Sequence, residues 1–176
     1  MDTKAIIADT MFNLLKTISF DKINVQMILD ESLVSRSTFY RYFKDKYDVM
    51  NWCYQSYVDT LLAEVKRRGD WKRALHLIFH FIDDNHLYFE KASHVQGRNN
   101  FWEFLYEYSY IFYERIYLQH TNESSLTDQA RVILEFNCMG AVHIVRRWLE
   151  NGRQESAADM AEWTFQLIPE MYRVYL

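Results

Sequence analysis

Breakers of regular structure are scarce in this chain: one proline and four glycines stand among 176 residues. An all-β protein needs frequent turns, and turns draw on those two residue types, so the shortage argues against β architectures and for long helices. Cysteine is nearly absent too. Cys53 and Cys138 are too few and too far apart in sequence for a disulfide framework or a metal knuckle, and read as buried reduced thiols. No uncharged apolar run is long enough to span a bilayer, and Met1-Asp2-Thr3-Lys4 opens a polar-faced helix rather than a signal peptide. The expected location is the cytoplasm, with no membrane partner. A global basic excess is also missing, since the formal net charge is −4.

What the chain does have is apolar and aromatic bulk. Hydrophobic residues make up 49% of it and aromatics 17%, enough for one substantial core or a small head on a larger body. The expected fold is all-α, with about nine helices from the spacing of apolar residues. Ile6, Ile7, Thr10, Met11, Leu14, Leu15 and Ile18 recur at helical spacing over residues 3–18. A short helix follows with Asn24 as its N-cap, Leu33-Val34 makes a turn, and Ser35 caps a second short helix through Phe43. Asp45 caps a long fourth helix, which Gly69 should end. The next helix is expected over residues 71–88, a polar loop over 91–100, and an aromatic helix over 101–118. A helix over 127–150 should stop at Asn151-Gly152, and Ser156 should cap a last helix that Pro169 bends.

The informative stretch is 23–46. Two short helices joined by a tight turn are what a major-groove reader needs: the first supports, the second projects its N-terminal side chains toward base edges. Val25, Ile28, Leu29, Val34, Phe39 and Phe43 can form the small core that fixes their angle. Residues 1–50 hold seven Lys/Arg and seven Asp/Glu, yet residues 36–46 hold Arg36, Arg41, Lys44 and Lys46 against Asp45 alone. A local positive strip in a mildly acidic protein suits phosphate contact without indiscriminate binding.

Val34-Ser-Arg-Ser-Thr-Phe-Tyr-Arg-Tyr-Phe43 followed by Lys44-Asp-Lys46 resembles the TetR family of bacterial regulators, whose pattern there is Gly-Val-Ser-x-Gly-Thr-hydrophobic-Tyr-x-His-Phe-x-x-Lys. Among the departures, the turn glycine is Leu33 here, and the histidine is Tyr42. The resemblance implies a helix-turn-helix DNA-binding domain over 1–46 and a helical ligand-sensing and dimerisation domain over 47–176. It implies that Thr38, Tyr40 and Lys46 touch phosphates, and that Arg36, Ser37, Arg41 and Tyr42 meet bases or backbone. Ser35 stands at the cap of the same helix. Asn24 and Gln26 sit at the start of the supporting helix, where amide groups can face a phosphate. Arg36 is the candidate for direct readout, because a guanidinium can bond guanine O6 and N7 together; a phosphate contact is the alternative. The resemblance further implies that the last two long helices pair across a two-fold axis, which puts Phe136, Gly140, His143, Trp148, Met160, Trp163, Thr164 and Leu167 at a homodimer interface.

Three weaker signals complete the reading. His76 and His80 are four apart on one helix, but no third ligand completes a motif, so a solvated helix face is favoured and no metal is expected. The aromatic helix must be buried on several sides or line a cavity. For the cavity, Phe79, Tyr88, Trp102, Tyr106, Tyr108 and Phe112 are the candidate lining; a solid core is the other reading. No acid/base pair or nucleophile set argues for an enzyme, and no cofactor is expected. The function expected is a sequence-specific DNA-binding transcriptional regulator, a repressor controlled by a small-molecule effector. The alternative is an activator or partner-binding regulator with no such ligand. Its partners would be an operator DNA and a second copy of itself.

Overall fold

The computed structural model describes residues 2–68, 70–95 and 100–176. Among these residues the chain is all-α, with ten helices and no strand: α1 (Thr3–Thr17), α2 (Val25–Ser32), α3 (Arg36–Tyr42), α4 (Lys46–Arg68), α5 (Trp71–Asp84), α6 (His86–Ser93), α7 (Phe101–Thr121), α8 (Asp128–Glu150), α9 (Ala157–Leu167) and α10 (Glu170–Arg173). They form two compact units. The first comprises Met1–Thr60 and Asn85–Phe101, the second Leu61–Asp84 and Trp102–Leu176. No helix is long and apolar enough to cross a membrane among the described residues.

The first unit is built around α1. Asp2 caps it by accepting from the Lys4 amide, and Ile7, Ala8, Met11 and Leu15 fall on one buried side at helical spacing. Ile28, Phe39, Phe43, Val49, Met50, Tyr88 and Phe89 complete that core. Tyr88 stacks on Phe12 with ring centroids 4.7 Å apart and donates its hydroxyl proton to the Met50 carbonyl. The Cys53 thiol donates to the Ala8 carbonyl at 3.3 Å. Burial holds both side chains in their neutral, donating forms: it pushes the Cys53 thiol up to about 12 and the Tyr88 phenol well above its ordinary range. The two cysteines are buried and unpaired with each other.

In the second unit α5 lies along α9, with Lys72 bridging to Glu162 at 2.7 Å. Phe79 of α5 meets Trp148 of α8 edge-on at 5.6 Å, and the Trp148 indole N–H donates to the Glu155 carbonyl at 2.9 Å. A cluster of Leu126, Ala130, Leu134, Cys138, Ile168 and Tyr172 takes in the inner side of α8. The buried Tyr172 hydroxyl donates to the Ala130 carbonyl at 2.7 Å, so its polar tip is satisfied inside an apolar cluster.

Three boundaries differ from expectation. The helix expected over 71–88 is two helices, because Asn85 leaves the helical region (φ −113°, ψ 29°) and its carbonyl restarts the chain by accepting from the Tyr88 and Phe89 amides. The aromatic residues beyond the break, Tyr88 and Phe89, are buried in the first unit, and helix continues through Ser93 where a loop was expected. The last helix does not merely bend at Pro169. Ile168 is extended (φ −63°, ψ 123°), as a residue before proline tends to be, and α10 is a separate turn. The aromatic helix runs to Thr121, about a turn beyond Leu118. Gly69 and Gly97 lie outside the described residues.

Candidate nucleic-acid interface

The segment 24–43 folds as two short capped helices. Asn24 Oδ1 accepts from the Met27 amide at 3.0 Å at the start of α2, and Ser35 Oγ accepts from the Thr38 amide at 3.2 Å at the start of α3. Between them Leu33 adopts the left-handed conformation (φ 55°, ψ 27°) while 92% exposed. This is the conformation glycine tolerates without cost, and a leucine there is strained. The family-pattern glycine is thus absent from a turn that still takes the glycine shape.

Helix α3 divides cleanly. Phe39 and Phe43 are fully buried; Ser35, Arg36, Ser37, Tyr40, Arg41 and Tyr42 are exposed, and Thr38 is half-buried. The exposed side chains are tied to one another. Ser35 Oγ lies 2.8 Å from Thr38 Oγ1 and 3.1 Å from Ser37 Oγ. Arg41 leans toward Thr38 Oγ1 at 3.5 Å, with its guanidinium carbon 5.3 Å from the Tyr42 ring centre. Arg36 Nη2 donates to Gln26 Oε1 on α2 at 2.7 Å, and Gln26 Nε2 donates to Asp30 Oδ1, again at 2.7 Å. Asn24 and Gln26 are exposed beside this group.

Lys46 is placed differently from the other cations of the strip. Its ammonium donates to the carbonyls of Phe20 and Ile23 at 2.9 and 2.7 Å, and sits 4.3 Å over the Phe20 ring. It therefore braces the end of the 3-10 turn at Phe20–Lys22, and the loss of hydration there lowers its pKa, with Asp21 pulling the other way. Arg36, Arg41 and Lys44 are the strip's exposed cations. Asp30 and Lys44 were not among the expected site residues. The four-residue spacing from Gln26 to Asp30 on one helix was the signal available for the former.

The six residues proposed to line a cavity are divided between the two units. Tyr88 belongs to the first unit, while Phe79 and Trp102 are buried in the second. Tyr106, Tyr108 and Phe112 are half-buried on α7, and Tyr106 packs against the Cys138 cluster. An open groove of about 380 Å³ follows Ile111, Glu114, Arg115, Leu118 and Gln119 on α7, and none of the six lines it. No group of three or more His, Cys, Asp or Glu side chains is arranged to hold a metal among the described residues.

The eight candidate interface residues also split. Phe136, His143, Trp163 and Leu167 are exposed, with Val132 and Met139 beside them; Phe136 is 83% exposed. Asn137 Nδ2 donates to the Leu167 carbonyl at 3.0 Å, which brings the end of α9 against the middle of α8. Gly140 falls in the same stripe, and a Cβ added there would meet nothing within 4 Å. Thr164 is half-buried. Trp148 and Met160 do not join this face, since both are buried.

A TetR-type family model described as "Transcriptional regulator C-terminal region" matches residues 69–170, more than half of the chain. The HTH-type dhaKLM operon transcriptional activator DhaS of Lactococcus lactis subsp. lactis (strain IL1403) is 25% identical over 89 residues, 51% of this chain and 48% of that protein, so the match spans about half the length of that curated relative. Among solved structures, the dihydroxyacetone kinase operon activator DhaS superposes with a TM-score of 0.67 at 20% identity, covering 98% of this chain and 97% of that one. A TetR-family transcriptional regulator from Syntrophomonas wolfei str. Goettingen gives 0.55 at 16% identity, covering 92% and 90%. These two likenesses are of fold, and with the family match over residues 69–170 they place the chain: it belongs to the TetR family of transcriptional regulators.

Proposed function

We propose that this regulator binds a specific operator as a homodimer, reading it with the head formed by residues 1–46 and dimerising through residues of the segment 47–176. Members of its family bind DNA and typically dimerise. The observation that carries the reading is the division of α3, which buries Phe39 and Phe43 and leaves Arg36, Ser37, Tyr40, Arg41 and Tyr42 outward. Thr38 and Tyr40 take phosphate oxygens, and Arg36 reads a base edge. Asn24, Gln26, Ser35 and Ser37 set the register at the two helix starts, while Lys46 holds the preceding turn in shape. The second copy covers the stripe Phe136, Met139, Gly140 and His143 on α8 with Trp163 and Leu167 on α9, and Gly140 allows the partner helix to approach closely.

Activation is the direction we favour over repression, because the curated relative is named an operon activator. A small-molecule effector is a second reading, favoured by the half-buried rings of Tyr106, Tyr108 and Phe112 on α7. Such an effector would act only by binding one arrangement of the dimer better than another. The test of the main reading is selection of bound fragments from a random DNA pool by the full chain. An inverted repeat should be enriched, occupied by two protomers, and Thr38→Ala should weaken binding across all sequences alike. Failure to enrich any sequence over the random pool at about 0.15 M salt, where screening is physiological, would sink it.

A further inference from the structure

Arg36 can read a guanine only if its guanidinium waits in the right plane. An exposed arginine has many rotamers, and holding one of them before the base arrives removes an entropic cost from binding. The side chain is not left to itself here. Gln26 Oε1 takes one of its N–H groups at 2.7 Å, leaving the rest of the five-donor fork free. A glutamine amide, however, can be turned over at little cost, and the flipped form would present its own N–H₂ to the guanidinium. Asp30 removes that ambiguity. Its carboxylate, one helical turn along α2, accepts from Gln26 Nε2 at 2.7 Å, and a carboxylate can only accept. The order Asp30–Gln26–Arg36 therefore has one direction, set at the acidic end.

We propose that Asp30 is a specificity-determining positioning residue: acting through Gln26, it fixes the Arg36 guanidinium for a guanine in a G·C pair of the operator. The proposal rests on the reading of α3 as the groove-facing helix. It also accounts for an acidic side chain beside a surface meant for a polyanion, where charge alone would only weaken binding.

Site selection followed by competition titration on single-base variants of the enriched sequence tests it, using the full chain and its Arg36→Ala, Gln26→Ala, Asp30→Ala and Asp30→Asn forms. Arg36→Ala should lose preference at one G·C pair by about tenfold, the scale of a bidentate contact. Gln26→Ala and Asp30→Ala should each lose about three- to tenfold at that same pair, and Asp30→Ala at no other, with its salt slope unchanged because it removes no phosphate contact. Asp30→Asn can turn either an oxygen or an N–H₂ toward Gln26, so it no longer sets the direction and should lose about threefold at that pair. Asp30→Ala should add nothing in an Arg36→Ala background. If Arg36→Ala changes a base preference and Asp30→Ala does not, the positioning role is overturned while the readout stands. If Arg36→Ala leaves every preference intact, the readout falls and the inference with it. If Asp30→Asn keeps the full preference, an accept-only group at this position is not what sets the direction, and the inference is overturned. Should Asp30→Ala fail to fold by circular dichroism, Gln26→Ala reads the same link.

Discussion

The outward sides of α3 and α8 are made of opposite materials. On α3 the exposed groups are polar and already joined to one another: Ser35 to Thr38, Arg36 to Gln26, Gln26 to Asp30, at 2.7 to 2.8 Å. Such a surface is content in water and can exchange its partners for phosphates and base edges at little net cost. On α8 and α9 the exposed large hydrophobic groups are Val132, Phe136, Met139, Trp163 and Leu167, side chains whose apolar area no hydrogen bond can satisfy. Each leaves apolar area in water at about 25 cal/mol per Å². The first surface is finished by its own chain and the second is not. A polyanion suits the one, and a matching apolar face suits the other.

The sharpest way to break the comparison is Phe136→Arg. Covering a large apolar side chain contributes about 1.5–3 kcal/mol, and two-fold symmetry counts it twice, so the dimer should lose roughly 3–6 kcal/mol. Sedimentation velocity should then find monomer at concentrations where the parent is dimeric. Helical circular dichroism should be unchanged, because Phe136 is already 83% exposed in the single chain. A variant that stays dimeric, or that unfolds, would show that this face is not where the second copy sits.

The two surfaces were not equally legible in the sequence. The head announced itself through its caps: Asn24 and Ser35 accept the amides of Met27 and Thr38, three residues on in each case, a local pattern that needs no tertiary information. On α8 the apolar residues run nearly all round, so spacing alone could not separate Trp148, which faces the core, from Phe136, which faces out. What decides between them is the position of α5 and of the Cys138 cluster, and that is non-local. The break at Asn85 was hidden for a related reason. It carries no glycine or proline, and the aromatic residues on its two sides, Phe79 and Tyr88, are buried in different units. For Lys46 the motif implies a phosphate contact, whereas its ammonium is engaged with two carbonyls that lie more than twenty residues away in sequence, a placement that no local pattern shows.

Leu33 blurs the contrast, being an aliphatic side chain 92% exposed on the polar head. Its φ of 55° is the glycine region, so Leu33→Gly should stabilise the protein by about 1 kcal/mol. At this chain length that is about 2–4 °C in Tm by calorimetry. Operator affinity should stay the same. A variant that gains stability but loses affinity would mean that the leucine is kept for a contact in the complex, and the head would then have an apolar element of its own. A variant that gains no stability would mean that the turn relaxes elsewhere.

Lys46 gives the smallest effect, and it asks whether the head's cations form one class or two. Burial lowers its pKa below the ordinary lysine value of 10.5. The unfolded chain therefore binds more protons at this residue in the window between the lowered value and 10.5. Stability must rise with pH across that window as the disfavoured charge is given up. The neutral amine still has two N–H groups, one for each of the Phe20 and Ile23 carbonyls, so the brace survives deprotonation. Titrating the Lys46 Cε signal by NMR in the native and urea-unfolded protein should place the native midpoint lower. Operator DNA should leave that midpoint where it is, because a brace already committed to two carbonyls has little to gain from a phosphate. A midpoint driven upward by DNA would instead put Lys46 with Arg36 and Arg41 on the contacting surface, and its carbonyl bonds would be a resting position that the duplex releases.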